Sequence, residues 1–209
     1  TMPPEVFDAI GPYVHACKMM GSMASQILGH TPKSLKVELA GGLADADPAP
    51  LLAAVLDGGL SYRRLGAFSA ANAESVASQH GISVTTASAR DAGEYASSVR
   101  IVADEVEVAA TLFGTEHTPR IISLMGYKID IAPATTSLVF EYVDAPGRIG
   151  VIGTILGDAA ANITTMQIGT RPEESCALVY MNVEGDVSEA VLDRLRGAID
   201  LRNLWKITL

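Results

Sequence analysis

The 209-residue sequence contains two cysteines, Cys17 and Cys176, too few and too far apart for an iron–sulfur cluster or a paired-cysteine metal site. Both read as buried reduced thiols. An excess of cations is also missing. Fifteen Lys and Arg stand against 24 Asp and Glu, a formal net charge of −9, which argues against nucleic acid or an anionic membrane as partner. The longest run without Asp, Glu, Lys or Arg, residues 75–89, holds Gln79, His80 and several hydroxyls, so no stretch suits a bilayer. TMPPEVFDAI has no basic segment followed by an apolar one, so no signal peptide is expected and the cytoplasm is the expected compartment. No Gly-rich strand-to-helix turn is placed to cradle a dinucleotide. Gly150-Val151-Ile152-Gly153 lies within a helical pattern, not after a strand. There is no nucleophile elbow or zincin helix, and His15, His30, His80 and His117 are scattered as surface or helix-end residues. The chain alone is therefore expected to hold no catalytic domain, cofactor or metal. Disorder is excluded by 48% hydrophobic and 19% charged residues.

What is present is densest between residues 138 and 170. Leu138, Phe140 and Tyr142 alternate with Val139, Glu141 and Val143, the period of a strand. Asp144-Ala145-Pro146-Gly147 ends it, because Pro cannot donate to a ladder and Gly permits a tight turn. The period then becomes helical, with Val151, Ile152, Ile155, Leu156, Ala159 and Ala160 on one stripe. Gly153 and Gly157, four apart, predict close packing of this helix. Asn162 opens a second strand over 163–169, and 176–183 reads as a third. Asp186 with Glu189 reads as a capping box before a helix bearing Val187, Val191, Leu195 and Ala198; residues 201–209 close as a strand. The order β-α-β-β-α-β predicts a ferredoxin-like arrangement.

Upstream, the pattern predicts a helix over 3–28 with an apolar stripe that includes Val14, and a strand over 34–40. A short helix capped by Asp47-Pro48 and ended by Gly58-Gly59 follows, then an Ala-rich helix over 69–80. Strands over 82–87, 97–103, 106–113, 120–124 and 127–132 come next, with turns at Asp104-Glu105 and Met125-Gly126. Residues 132–136 read as a linker. The expected class is α+β, with an α/β domain of mostly antiparallel sheet at 1–132 and a ferredoxin-like domain at 137–209.

The chemistry that remains suits a small amphoteric ligand. Free N–H groups near Arg148, Ile149 and Gly150, at a helix start, favour a carboxylate. Asp144 offers an anion for an ammonium group, and Asn162 both a donor and acceptors. The same spacing is equally read as Asp144 capping the helix and Asn162 making a turn. Arg63-Arg64 reads as a solvated pair.

DAPGRIGVIGTILG followed by ANITTMQIGTR resembles the ACT domain, and more narrowly that of the C-terminal regulatory region of bacterial phosphoglycerate dehydrogenases. RIISLMGYKIDIAPATTSLVFEYVDAPGRIG resembles the join between the intervening and ACT domains of that family. The resemblance implies L-serine as effector, bound by Tyr142, Asp144 and Asn162. Tyr142 stands where some members carry His. It also implies an anion site near Arg120 and Lys128, although Tyr127 and Ala132 occupy positions that carry Arg elsewhere. NAD is implied only for a catalytic half outside this sequence. Two other readings follow from related domain pairs: a regulatory part of an iron–sulfur L-serine dehydratase, or an ACT module for another amino acid. A homodimer, or a tetramer built from it, is expected through strand 163–169, an uncharged apolar edge.

Overall fold

The computed structural model describes residues 4–60, 68–171, 173 and 175–209. Arg63-Arg64 lies outside them. The described residues form an α+β protein of two compact units, Thr1–Gly126 and Tyr127–Leu209, with two sheets of mostly antiparallel strands.

In the first unit, α1 (Pro4–Leu28) precedes β1 (Ser34–Gly41), and α2 (Ala49–Leu60) and α3 (Ala73–Gln79) lead to β2 (Ser83–Ala89). β3 (Ser97–Ala103), β4 (Val106–Phe113), β5 (Thr118–Leu124) and β6 (Tyr127–Ile131) follow, and the sheet order is β2-β1-β3-β4-β5-β6. β6 is grouped with the second unit. β1 and β2 pair in parallel; their connection is the helical crossover that parallel neighbours require. Leu35, Val37 and Leu39 alternate into the core, while Lys36 and Glu38 pair on the other face at 2.8 Å. Helix α1 survives Pro12 within its span, and Gly29 at φ 70° ends it. Both predicted turns are tight, with Asp104 at φ 49° and Met125 at φ 50°. Asp47 caps the approach to α2 by accepting the Ala49 N–H at 3.0 Å.

The second sheet contains β7 (Thr136–Val143), β8 (Asn162–Arg171), β9 (Cys176–Glu184) and β10 (Leu201–Thr208) in the order β10-β7-β9-β8. With α4 (Arg148–Asp158) and α5 (Glu189–Ala198), this is the ferredoxin-like β-α-β-β-α-β that the sequence predicts. Leu138, Phe140 and Tyr142 of β7 and Ala177, Val179 and Met181 of β9 share a core with Ile152, Ile155 and Leu156 of α4 and Val191, Leu192 and Leu195 of α5. Tyr127 lies against this unit, donating to Glu141 Oε1 at 2.9 Å beneath the Arg171 guanidinium, 4.1 Å from its ring centre.

Several local expectations are corrected. Gly153 and Gly157 do not mark close packing: a Cβ on either meets nothing within 4 Å. The tight crossing is instead between α1 and α2. A Cβ on Gly58 stands 1.9 Å from the Lys18 carbonyl oxygen and one on Gly21 2.0 Å from that of Val55. Gly58 and Gly59 therefore lie inside α2 and do not end it. Val14 and Val151, assigned to apolar stripes, are exposed. The Ala-rich helix is shorter than 69–80, because Asn72 Oδ1 takes the Ser69 N–H in a turn before Ala73. Helix α5 starts one residue after Ser188, not at Asp186, and Ser188 makes no side-chain cap bond. Val187 and Leu192, buried on either side of that cap, hold the start as a hydrophobic staple.

Candidate functional site

At the end of β7 the chain leaves the sheet with the Asp144 N–H on the Ser175 carbonyl at 3.0 Å. Gly147 turns it at φ 89°, a left-handed value that suits glycine, and α4 begins. The Arg148 N–H reaches the Ala145 carbonyl at 3.4 Å and the Val151 N–H the Gly147 carbonyl at 3.1 Å. Ile149 and Gly150, between them, are in the first turn, where N–H groups have no intrahelical acceptor. An open cleft of about 440 Å³ lies over this junction, lined by Tyr142, Asp144, Arg148, Ile149, Gly150 and Ile168 among others. Five of the six effector-site residues expected from the sequence thus face one cavity.

Asp144 is not the helix cap. Gly147 takes that position and no side chain caps it, leaving the exposed Asp144 carboxylate for solvent or a ligand. Tyr142 is the buried floor. Burial first, and the nearby Asp144 charge second, raise its phenol above the ordinary value, so it stays a neutral donor. Arg148 does not present an unengaged cation: its Nη2 bonds Asp200 Oδ2, at the turn into β10. Ile168 was not anticipated. It lies on β8 and is 41% exposed, and its place on the cleft follows from sheet order, which local periodicity does not report.

Asn162 is not on this cleft within one chain. It is the exposed first residue of β8, opposite Glu184, whereas Arg171 at the other end of β8 is opposite Cys176 and so level with Val143. Strand β8 is the outer strand of its sheet. Arg120 belongs to the first unit, its guanidinium 5.7 Å from the Phe113 ring centre, and Lys128 is exposed on β6 in the second. All four histidines are exposed, and both cysteines are buried and outside any disulfide. Burial pushes the Cys17 thiol up to about 12, which keeps it protonated and unreactive. No helix among the described residues is long and apolar enough to cross a membrane.

Fold and site together define a two-unit α+β protein whose ferredoxin-like half carries an open, polar-floored cleft at a helix start. The family model for the D-3-phosphoglycerate dehydrogenase intervening domain matches residues 9–125, and the chain belongs to that family. It is 27% identical over 98% of its length to D-3-phosphoglycerate dehydrogenase of Mycobacterium tuberculosis. It is 26% identical over 100% of its length to that of Bacillus subtilis and 24% identical over 100% to that of Methanocaldococcus jannaschii. The chain spans about 40% of the length of these relatives, corresponding to a C-terminal portion. A solved structure described as GqqA, a novel type of quorum quenching acylase, shares 22% identity over 34% of this chain and 27% of that one at a TM-score of 0.30, too low to bear on fold or function.

Proposed function

We propose that the chain is the amino-acid-sensing regulatory region of a D-3-phosphoglycerate dehydrogenase, with an ACT domain that binds L-serine between two copies of itself. The observation that carries this reading is the cleft that gathers Tyr142, Asp144 and the first turn of α4 beside the outer strand β8. The ligand's ammonium meets Asp144, and its carboxylate the first-turn N–H groups, where the helix dipole favours an anion. Antiparallel pairing of β8 with a second β8 brings the partner subunit's Asn162 to the Thr170 end of the strand, beside Ile168 and the cleft mouth. Such pairing also covers a strand edge that is open in the single chain. Because serine touches both subunits, it tightens the dimer, and that linkage is the route by which an end product slows a catalytic half. In this reading the parent enzyme is cytoplasmic, uses NAD in that other half and assembles as a dimer or tetramer. Arg120 and Lys128 remain proposed anion contacts.

The test is a mixed dimer of an Asp144→Ala chain with an Asn162→Ala chain. Hydrogen bonds to charged groups contribute roughly 1.5–3 kcal/mol, so losing either side chain weakens binding about tenfold or more. One composite site in the mixed dimer carries both substitutions and the other carries neither. Calorimetry is expected to recover about one tight serine site per mixed dimer, and none in either mutant homodimer. A mixture that binds no better than its parents rules out a shared site.

A further inference from the structure

We propose that the Arg148 guanidinium is a second receptor for the ligand carboxylate, beside the first-turn N–H groups, held in reserve by Asp200, so that an α-amino acid binds by displacing Asp200. The inference rests on the amino-acid reading above and assigns a competition within that site. Arg148 lines the cleft, yet its Nη2 is ion-paired to Asp200, whose side chain is 75% exposed. Its Nε is buried and has no hydrogen-bond partner. A guanidinium presents two parallel N–H groups along one edge, a fork that fits both oxygens of a carboxylate. Asp200 uses one prong and leaves the other buried without an acceptor, an unfavourable arrangement.

An exposed ion pair of this kind contributes little, because water solvates the carboxylate almost as well. A ligand carboxylate that takes the Nε and Nη2 edge therefore gains a satisfied donor and gives up little. Asp200 stays nearby in either state, since its backbone carbonyl accepts the Val143 N–H at 3.2 Å. The site then holds a cation and an anion, Arg148 and Asp144, on either side of the Pro146-Gly147 turn, matched to the two ends of a zwitterion. In the absence of ligand, Asp200 neutralises Arg148. This competition sets the affinity.

The measurement is calorimetric binding of L-serine and of L-serinamide, which lacks the carboxylate, to the full 209-residue chain and its variants. Asp200→Asn removes the competitor and keeps the shape. It is expected to bind serine about three- to tenfold more tightly. Arg148→Gln is expected to weaken serine about tenfold or more while changing serinamide by less than about twofold. Should Arg148→Gln fail to fold by circular dichroism, Arg148→Lys keeps the charge without the fork and is expected to weaken serine about fivefold. Unchanged or weaker serine binding in Asp200→Asn overturns the competition, and so does an equal loss of serine and serinamide in Arg148→Gln. If the unaltered chain binds neither compound, the serine reading itself fails. The two failures are therefore separable.

Discussion

Asn182 fastens the segment between the two predicted domains. Buried at 4% exposure, it accepts the Ala134 N–H at 3.2 Å and the Ser137 hydroxyl at 2.9 Å through Oδ1, and donates to the Ala132 carbonyl at 2.8 Å. Residues 132–137 are thus tied to β9, a restraint that their Ala, Pro and Thr composition does not reveal. Its partners lie 45–50 residues earlier, beyond the reach of any local pattern. Asn182→Ala leaves those buried groups unpaired at about 1–3 kcal/mol each, so a loss of about 3 kcal/mol is expected in urea unfolding with an unchanged slope. A loss under about 1 kcal/mol contradicts this role. For Asp144, the capping role that an acid before Pro-Gly suggests is excluded, because Gly147 is the cap residue.

Asp104 supplies the acid-side prediction. Burial pushes its carboxyl up, but the Ser34 and Lys33 N–H groups, the Ser34 hydroxyl and the His30 charge outweigh it and leave the group below its ordinary value. A carboxyl lowered on folding stabilises above its unfolded value, and this is lost as pH falls through the folded one. Asp104→Asn tolerates the same positive φ and removes that dependence. The variant is expected to be less stable than the parent at neutral pH, with the gap closing as pH falls through and below the ordinary carboxylate range. A constant gap in unfolding midpoints across that range defeats the assignment.

Among the elements, the helices show what spacing alone misses. Gly153 and Gly157 lie four apart, as close-packed glycines do, yet at about 100° per residue they project away from Ile152, Ile155 and Leu156. Spacing reports only that two residues share a face; phase relative to the apolar stripe decides which face it is. Gly58 and Gly59 resemble a helix end in sequence, because nothing local indicates that α1 crosses there. The two helices predict opposite responses to one substitution. Gly153→Ala is expected to stabilise by about 0.5–1 kcal/mol, the propensity difference in an open helix position. Gly58→Ala drives a methyl into the Lys18 backbone and is expected to cost about 3 kcal/mol or more, since neither helix can yield locally. Thermal unfolding of both variants decides it, and matching signs refute the account.

At the scale of the molecule, the alternating strands and the change of period after Gly147 made the ferredoxin-like half legible. The cleft's Ile168 wall was not, because it depends on which side chains of the edge strand reach the cleft. The chain is expected to run as a dimer at micromolar concentration in size-exclusion chromatography with light scattering, because β8 ends its sheet unpaired. A monomer there counts against the shared serine site. The isolated chain is expected to turn over no phosphoglycerate with either nicotinamide cofactor, because among the described residues neither sheet is the parallel one that holds a dinucleotide. Any measurable turnover defeats that expectation.

The adjacency of β7 and β10 has a topological consequence. Thr136 is paired with Thr208, and the Leu209 N–H reaches the Thr135 carbonyl at 2.9 Å, so the β7–β10 portion begins and ends at one spot. Its connectivity is therefore interchangeable: a short bridge from 209 back to 135, with the backbone opened at the exposed 185–186 turn, yields a circular permutant with every strand pairing intact. Such a permutant presents its free ends beside α5, away from the Asp144–Gly147 loop, and lets either end be tethered without severing Asp144 from α4.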